Sequence, residues 1–160
     1  MDDELRGVKG WLLTFVIIIA VVSPLALIIL IFRDIYGDPM IALAYGPLWG
    51  TIELFEWTHT AVVILGCWFI AWRLVYVHNW TSVRIAIAGI WLVAVGGALT
   101  ELLGVSLITG IPFGDLLGAS VGPELIRPLI FCGIWTAYLL KSQRVANTYR
   151  DAGEQAEVFE

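Results

Sequence analysis

The chain has 160 residues, 59% of them hydrophobic and 14% charged, with a mean hydropathy of +0.87. A soluble domain carries about 25% charged and about 45–50% apolar residues, so this composition belongs to a chain built for lipid and disfavours a soluble enzyme; it excludes disorder, which needs low hydrophobicity and high net charge. A net charge of −5 with no basic stripe argues against a nucleic-acid partner.

A bilayer core about 30 Å thick takes about 20 mostly apolar helical residues to cross. Four stretches qualify in chain order, at about 11–32, 57–77, 83–108 and 125–140. The expected fold is all-α: a polytopic, up-down four-helix transmembrane bundle forming one domain over residues 1–150, with short re-entrant or interfacial segments on its outer side. Asp2, Asp3 and Glu4 oppose the basic start of a signal peptide, so the first helix is expected to remain as an anchor. Pro24 interrupts that helix; a helix-interior proline frees the carbonyl four residues back, here that of Ala20, and kinks the helix. Residues 38–51 are too apolar for a free loop and are broken by Pro39 and Pro47, which fits a short helix on or in the outer leaflet. Residues 112–123 carry Gly114, Gly118 and Gly122 at a four-residue period; a re-entrant or interfacial helix and a plain glycine-rich loop fit equally. Residues 151–160 form an acidic tail with no chemistry assigned.

Lys and Arg set the orientation. Arg6, Lys9, Arg73, Arg84, Lys141, Arg144 and Arg150 fall on one side of the four stretches, and Arg33 and Arg127 on the other. This bias is expected to place both termini, and the connection between the second and third helices, in the cytoplasm. Membrane lipids are then obligatory partners. Gly89, Gly96 and Gly97 in the third helix offer close-contact positions for a homo-oligomer or a larger complex.

Ionisable residues inside spans cost about 2.5–3.5 kcal/mol each at the bilayer centre and usually face the bundle interior. Glu53, Glu56, His59, Glu101 and Arg127 are such residues. Counting from the basic residue at each inner helix end, Glu56 lies 17 residues from Arg73, and Glu101 lies 17 from Arg84. His59 is 14 residues from Arg73, and Arg127 is 14 from Lys141. At 1.5 Å per residue all four sit about 21–25 Å above the inner boundary. Pro24 falls at a similar level, so the first helix is expected to add bare backbone polarity there. Glu53, Glu56 and Thr60, three and four apart, share one helix face.

Two function classes follow. In one, Arg127 neutralises Glu56 or Glu101 and only holds the helices in register, leaving a non-catalytic accessory or scaffolding subunit. In the other, excess acid beside His59 forms an ion, proton or small-solute pathway. No enzyme is expected, since no Ser/His/Asp set, Walker motif or HExxH is present. Glu56-x-x-His59 is half of a di-iron motif whose second copy is absent. Cys67 and Cys132 lie apart in apolar runs. His59 and His78 stand about 28 Å apart along one helix, too far to ligate one haem. No metal and no cofactor is therefore expected.

The ends of the chain carry a further pattern. Gly7-Val8-Lys9-Gly10-Trp11-Leu12-Leu13 leads into Ser23-Pro24, and Arg127-Pro128-Leu129 leads through Ile134-Trp135-Thr136 to Lys141-Ser142-Gln143-Arg144-Val145-Ala146-Asn147-Thr148-Tyr149. Together these segments resemble the domain-of-unknown-function 2569 family. The resemblance implies a small bacterial four-helix inner-membrane protein with an acidic residue in helix two, at Glu53 or Glu56, and it supplies no activity. Lys141 and Arg144 read as membrane-interface residues, each worth about 1 kcal/mol near anionic lipid. Asn147 and Thr148 are suited to satisfying open carbonyls at a helix end.

Overall fold

The computed structural model describes residues 7–120 and 123–149; the expected tail at 151–160 and the basic residues Arg6 and Arg150 lie outside them. Every element among the described residues is helical. Helix α1 runs Trp11–Tyr36, with a π-helical turn at Ile18–Val22. Helix α2 is the short Pro39–Tyr45. A 3₁₀ turn at Gly46–Leu48 leads into α3, Trp49–Tyr76. Helix α4 spans Trp80–Thr109, with a π-helical turn at Leu92–Gly96. Helix α5 is Phe113–Ser120, α6 is Pro123–Lys141 and α7 is Gln143–Tyr149.

The boundaries follow local chemistry. Asp38 caps α2 by accepting the Met40 N–H at 2.9 Å, and Asn79 caps α4 by accepting the Ser82 N–H at 2.9 Å; both satisfy a donor orphaned at a helix start. Gly110, at φ 76°, ends α4 in the left-handed region, where glycine carries no steric penalty. Helix α3 begins eight residues ahead of the expected 57, because Pro47 sets a tight turn that runs straight on into it. Glu53 and Glu56 are thus inside a helix. Residues 113–120 are helical, which resolves the choice left open between helix and loop there.

Three helical runs are long and apolar enough to cross a membrane, Trp11–Tyr36, Met40–Tyr76 and Trp80–Thr109, and a fourth is added if Leu125–Lys141 and Gln143–Tyr149, bent by 64° to each other, count as one. Helix α1 packs on α3, α3 on α4, and α6 on the first half of α4 and its π-turn. The Phe15 and Trp135 rings, 4.6 Å apart, join α1 to α6 and close the ring of helices.

Close approach of α3 and α4 depends on glycine. A side chain at Gly66 would meet Val93 at 2.8 Å, one at Gly89 would meet Ile70 at 2.7 Å, and one at Gly104 would occupy the space of the Phe55 ring. Gly97 faces Val63. Gly89 and Gly97, read from the sequence as contacts for a second chain, are thus used within this one.

The core lies at the end of the bundle that carries Arg73, Arg84 and Lys141. Leu12, Phe15, Leu74, Val83, Leu139 and Val145 are fully buried there. Helix α7 turns across this end. Its Thr148 Oγ1 accepts the Gly7 N–H at 3.0 Å, and its Tyr149 hydroxyl donates to the Leu74 carbonyl. That carbonyl belongs to the last turn of α3, which has no intrahelical donors left. Burial pushes the Tyr149 phenol up, so it stays a donor at neutral pH.

Candidate functional site

At the opposite end the helices carry charge. Helix α3 presents Glu53, Glu56 and His59, all half-buried, with Thr60 buried below them. Helix α4 presents Thr100 and Glu101, both exposed, and the last turns of α1 present Asp34. The Asp34 and Glu101 carboxylates both lie close enough to act on Glu56 as like charges. Helices α1, α3 and α4 therefore bring their acids to the same end of the bundle.

The neighbours of each group differ. Glu53 accepts a 2.6 Å hydrogen bond from the Tyr36 hydroxyl, which pins the end of α1 to α3. Phe32 and Trp57 meet edge to face at 5.3 Å beside that bond. Asp34 pairs with Arg33 at 2.7 Å on the surface. His59 Nε2 lies 3.1 Å from Thr100 Oγ1, and that hydroxyl donates to the Gly97 carbonyl at 2.9 Å. With the single hydroxyl proton committed to Gly97, the bond between His59 and Thr100 takes its proton from His59 Nε2. The His59 ring stacks on Phe55 at 5.8 Å, which in turn sits over Gly104.

Arg127 does not join this set. It is exposed on α6, and no ion pair links it to Glu56 or Glu101. The reason is the path of α6, which packs on Trp80–Trp91 and the following π-turn, so that its opening turns make no substantial contact with α3. Equal depth along two helices does not make their side chains meet.

Pro24 also departs from expectation. It is buried, and helix α1 stays continuous because the π-turn Ile18–Val22 precedes it. The Ala20 carbonyl that it frees is not bare: Trp68 Nε1 donates to it at 3.0 Å. The π-turn of α4 has a similar neighbour, the Cys132 thiol, which reaches the Ile90 carbonyl at 3.4 Å. Helix α1 thus brings Asp34, not backbone polarity, to the acidic group. Asp34 was missed because the apolar run ends at Phe32; a helix continued for one more turn would have found it.

Lys141 is exposed at the other end. Arg144 lies on α7 with its Nε 3.8 Å from where a Cβ on Gly10 would be. Its Nη1 is buried and without a hydrogen-bond partner among the described residues, as is Arg73 Nε. Among the described residues no group of three or more His, Cys, Asp or Glu is placed to hold a metal ion.

These features define an all-helical protein with several helices apolar enough for a bilayer, packed tightly at a basic end and charged at the other. The chain belongs to a family described as proteins of unknown function, DUF2569, whose model matches residues 5–150. No curated protein and no solved structure matches it.

Proposed function

We propose that the chain is a four-span protein of the cell inner membrane, with α1, α3, α4 and α6 crossing and both termini cytoplasmic, and that its outer half holds a proton- or cation-binding site on a pathway for a small ion. The exposure pattern supports the membrane placement. In the most apolar stretches of the three long runs only 28%, 28% and 11% of residues are buried within the molecule, so most of the apolar surface faces outwards, as it does for helices bathed in lipid. The basic end, with Lys9, Arg73, Arg84 and Lys141, then lies inside. Helices α2 and α5 join spans on the outer side as interfacial segments.

One observation carries the site: Glu56, half-buried on α3, feels the like charge of two further carboxylates, Glu101 and Asp34, and makes no ion pair with Arg127. A half-buried carboxylate under that repulsion favours a positive counterpart, and a proton or a small cation supplies it at Glu56. His59 and Thr100 add a polar relay beside it.

The test is flux in proteoliposomes holding the purified full chain, with a proton-sensitive dye and a panel of alkali cations. Glu56→Gln is expected to lower the flux roughly tenfold or more, equivalent to about 1.4 kcal/mol of lost stabilisation of the bound cation. Flux that is absent in the parent, or unchanged by the substitution, leaves the accessory-subunit reading in its place.

A further inference from the structure

The two end segments, Gly7–Gly10 and α7, meet in the fold, and the acidic site makes no use of them. Gly7 is bonded to Thr148, Gly10 lies against Arg144, and Tyr149 is bonded to the end of α3. The result is a cover over the basic end of the bundle. It consists of one seven-residue helix, shorter than a helix needs to be stable on its own.

Its attachment has the form of a hinge. Helix α7 bends 64° away from α6 at Ser142, the one non-helical residue between them. Ser142 serves both helices: its N–H donates to the Tyr138 carbonyl at 2.9 Å, and its own carbonyl accepts the Ala146 N–H at 3.0 Å. Beyond the hinge, Val145 and Tyr149 are 0% and 2% exposed and enter the same cluster as Leu74 and Leu139. In the closed position the Nη1 of Arg144, on α7 itself, is buried without a partner among the described residues. A buried donor without a partner is rare and unfavourable, so opening to water favours that group. Those two opposed contributions, a small apolar seal and one unsatisfied donor, are what a two-position element requires.

We infer that α7 is a hinged plug: it swings about Ser142, breaks the Thr148–Gly7 and Tyr149–Leu74 bonds together, and opens the basic end of the bundle to water. This assigns a gate to the pathway proposed above and rests on that reading for its purpose, but its motion is measurable without any flux. The probe is a membrane-impermeant charged maleimide, applied to the full chain in nanodiscs that carry Leu139→Cys as reporter beneath the plug. Labelling sites are read by mass spectrometry, and the buried native thiols Cys67 and Cys132 act as internal controls.

Tyr149→Phe and Thr148→Ala are each expected to speed labelling of the reporter by roughly fivefold, the effect of one lost hydrogen bond on an opening equilibrium, with Cys67 and Cys132 still unlabelled. Equal reporter rates in all three proteins overturn the plug. So does labelling of Cys132 in step with the reporter, because that marks loosening of the whole bundle. Hydrogen exchange on Tyr149→Phe without the reporter provides the second measurement: amides of residues 143–149 should exchange faster while those of residues 131–139 keep their rates, and a uniform change or none overturns the plug. Failure of the Glu56→Gln flux test would remove the pathway and leave these rates as they are, so the two failures are distinguishable.

Discussion

Trp68 shows how one side chain settles a problem created by another. Pro24 removes the N–H that would have bonded to the Ala20 carbonyl, and the Trp68 indole supplies a donor from α3 instead. Trp68→Phe should therefore destabilise the fold by about 1–3 kcal/mol, the cost of a backbone acceptor left without a partner. With Pro24→Ala also present the helix regains its own donor, so most of that loss should vanish. A double-mutant cycle on thermal unfolding in detergent measures the coupling, and simple additivity would show that the indole is only a packing group. The freed carbonyl was legible in the sequence, because proline's chemistry is local. Its partner was not, because Trp68 stands 48 residues away and only packing brings the two together. His59 divides in the same way. Its depth follows from counting residues, whereas its bond to Thr100 depends on how α3 and α4 are rotated.

At the scale of elements, the glycines of the α3–α4 seam set the spacing of the pair. Gly104 admits the Phe55 ring, and that ring carries His59 stacked upon it. Gly104→Val should lower stability by about 1–3 kcal/mol through overpacking, and Phe55→Ala should recover a large part of it. Thermal melts of the two single variants and the double variant decide this; no rescue would mean that the seam does not depend on that contact. The same seam explains what sequence patterning reached and what it did not. Hydrophobic length was sufficient to find the three long apolar helices, because a run such as Trp11–Phe32 has few alternatives, while the fourth expected span qualifies only if α6 and the bent α7 count as one. Helix ends were less legible: α3 runs through Trp49 and α1 through Tyr36, since Glu53, Asp34 and Arg33 interrupt the apolar pattern without interrupting the helix. Glycine spacing signalled close approach but not the identity of the neighbour, which proved to be another helix of the same chain.

Across the whole molecule the two ends contrast. One is closed by a shared apolar core and by α7, and the other carries Glu53, Glu56 and Glu101 from α3 and α4 with Asp34 from α1. Membrane topology is testable directly. A cysteine introduced at Asn79, on the short connection between α3 and α4, should resist an impermeant label added outside intact cells and react after permeabilisation; labelling from outside would invert the orientation. Charge placement was readable at this scale from the distribution of Lys and Arg, but the separation of Arg127 from the acids was not, because it depends on the angle at which α6 leaves α4. The bond between Gly7 and Thr148, separated by 141 positions, also carries a consequence for biogenesis. The segment of the bundle that is translated early cannot be fastened until α7 has emerged from the ribosome, so nascent intermediates must pass through insertion with that door unlatched, and a product stalled before Gln143 should be an early target for membrane quality control.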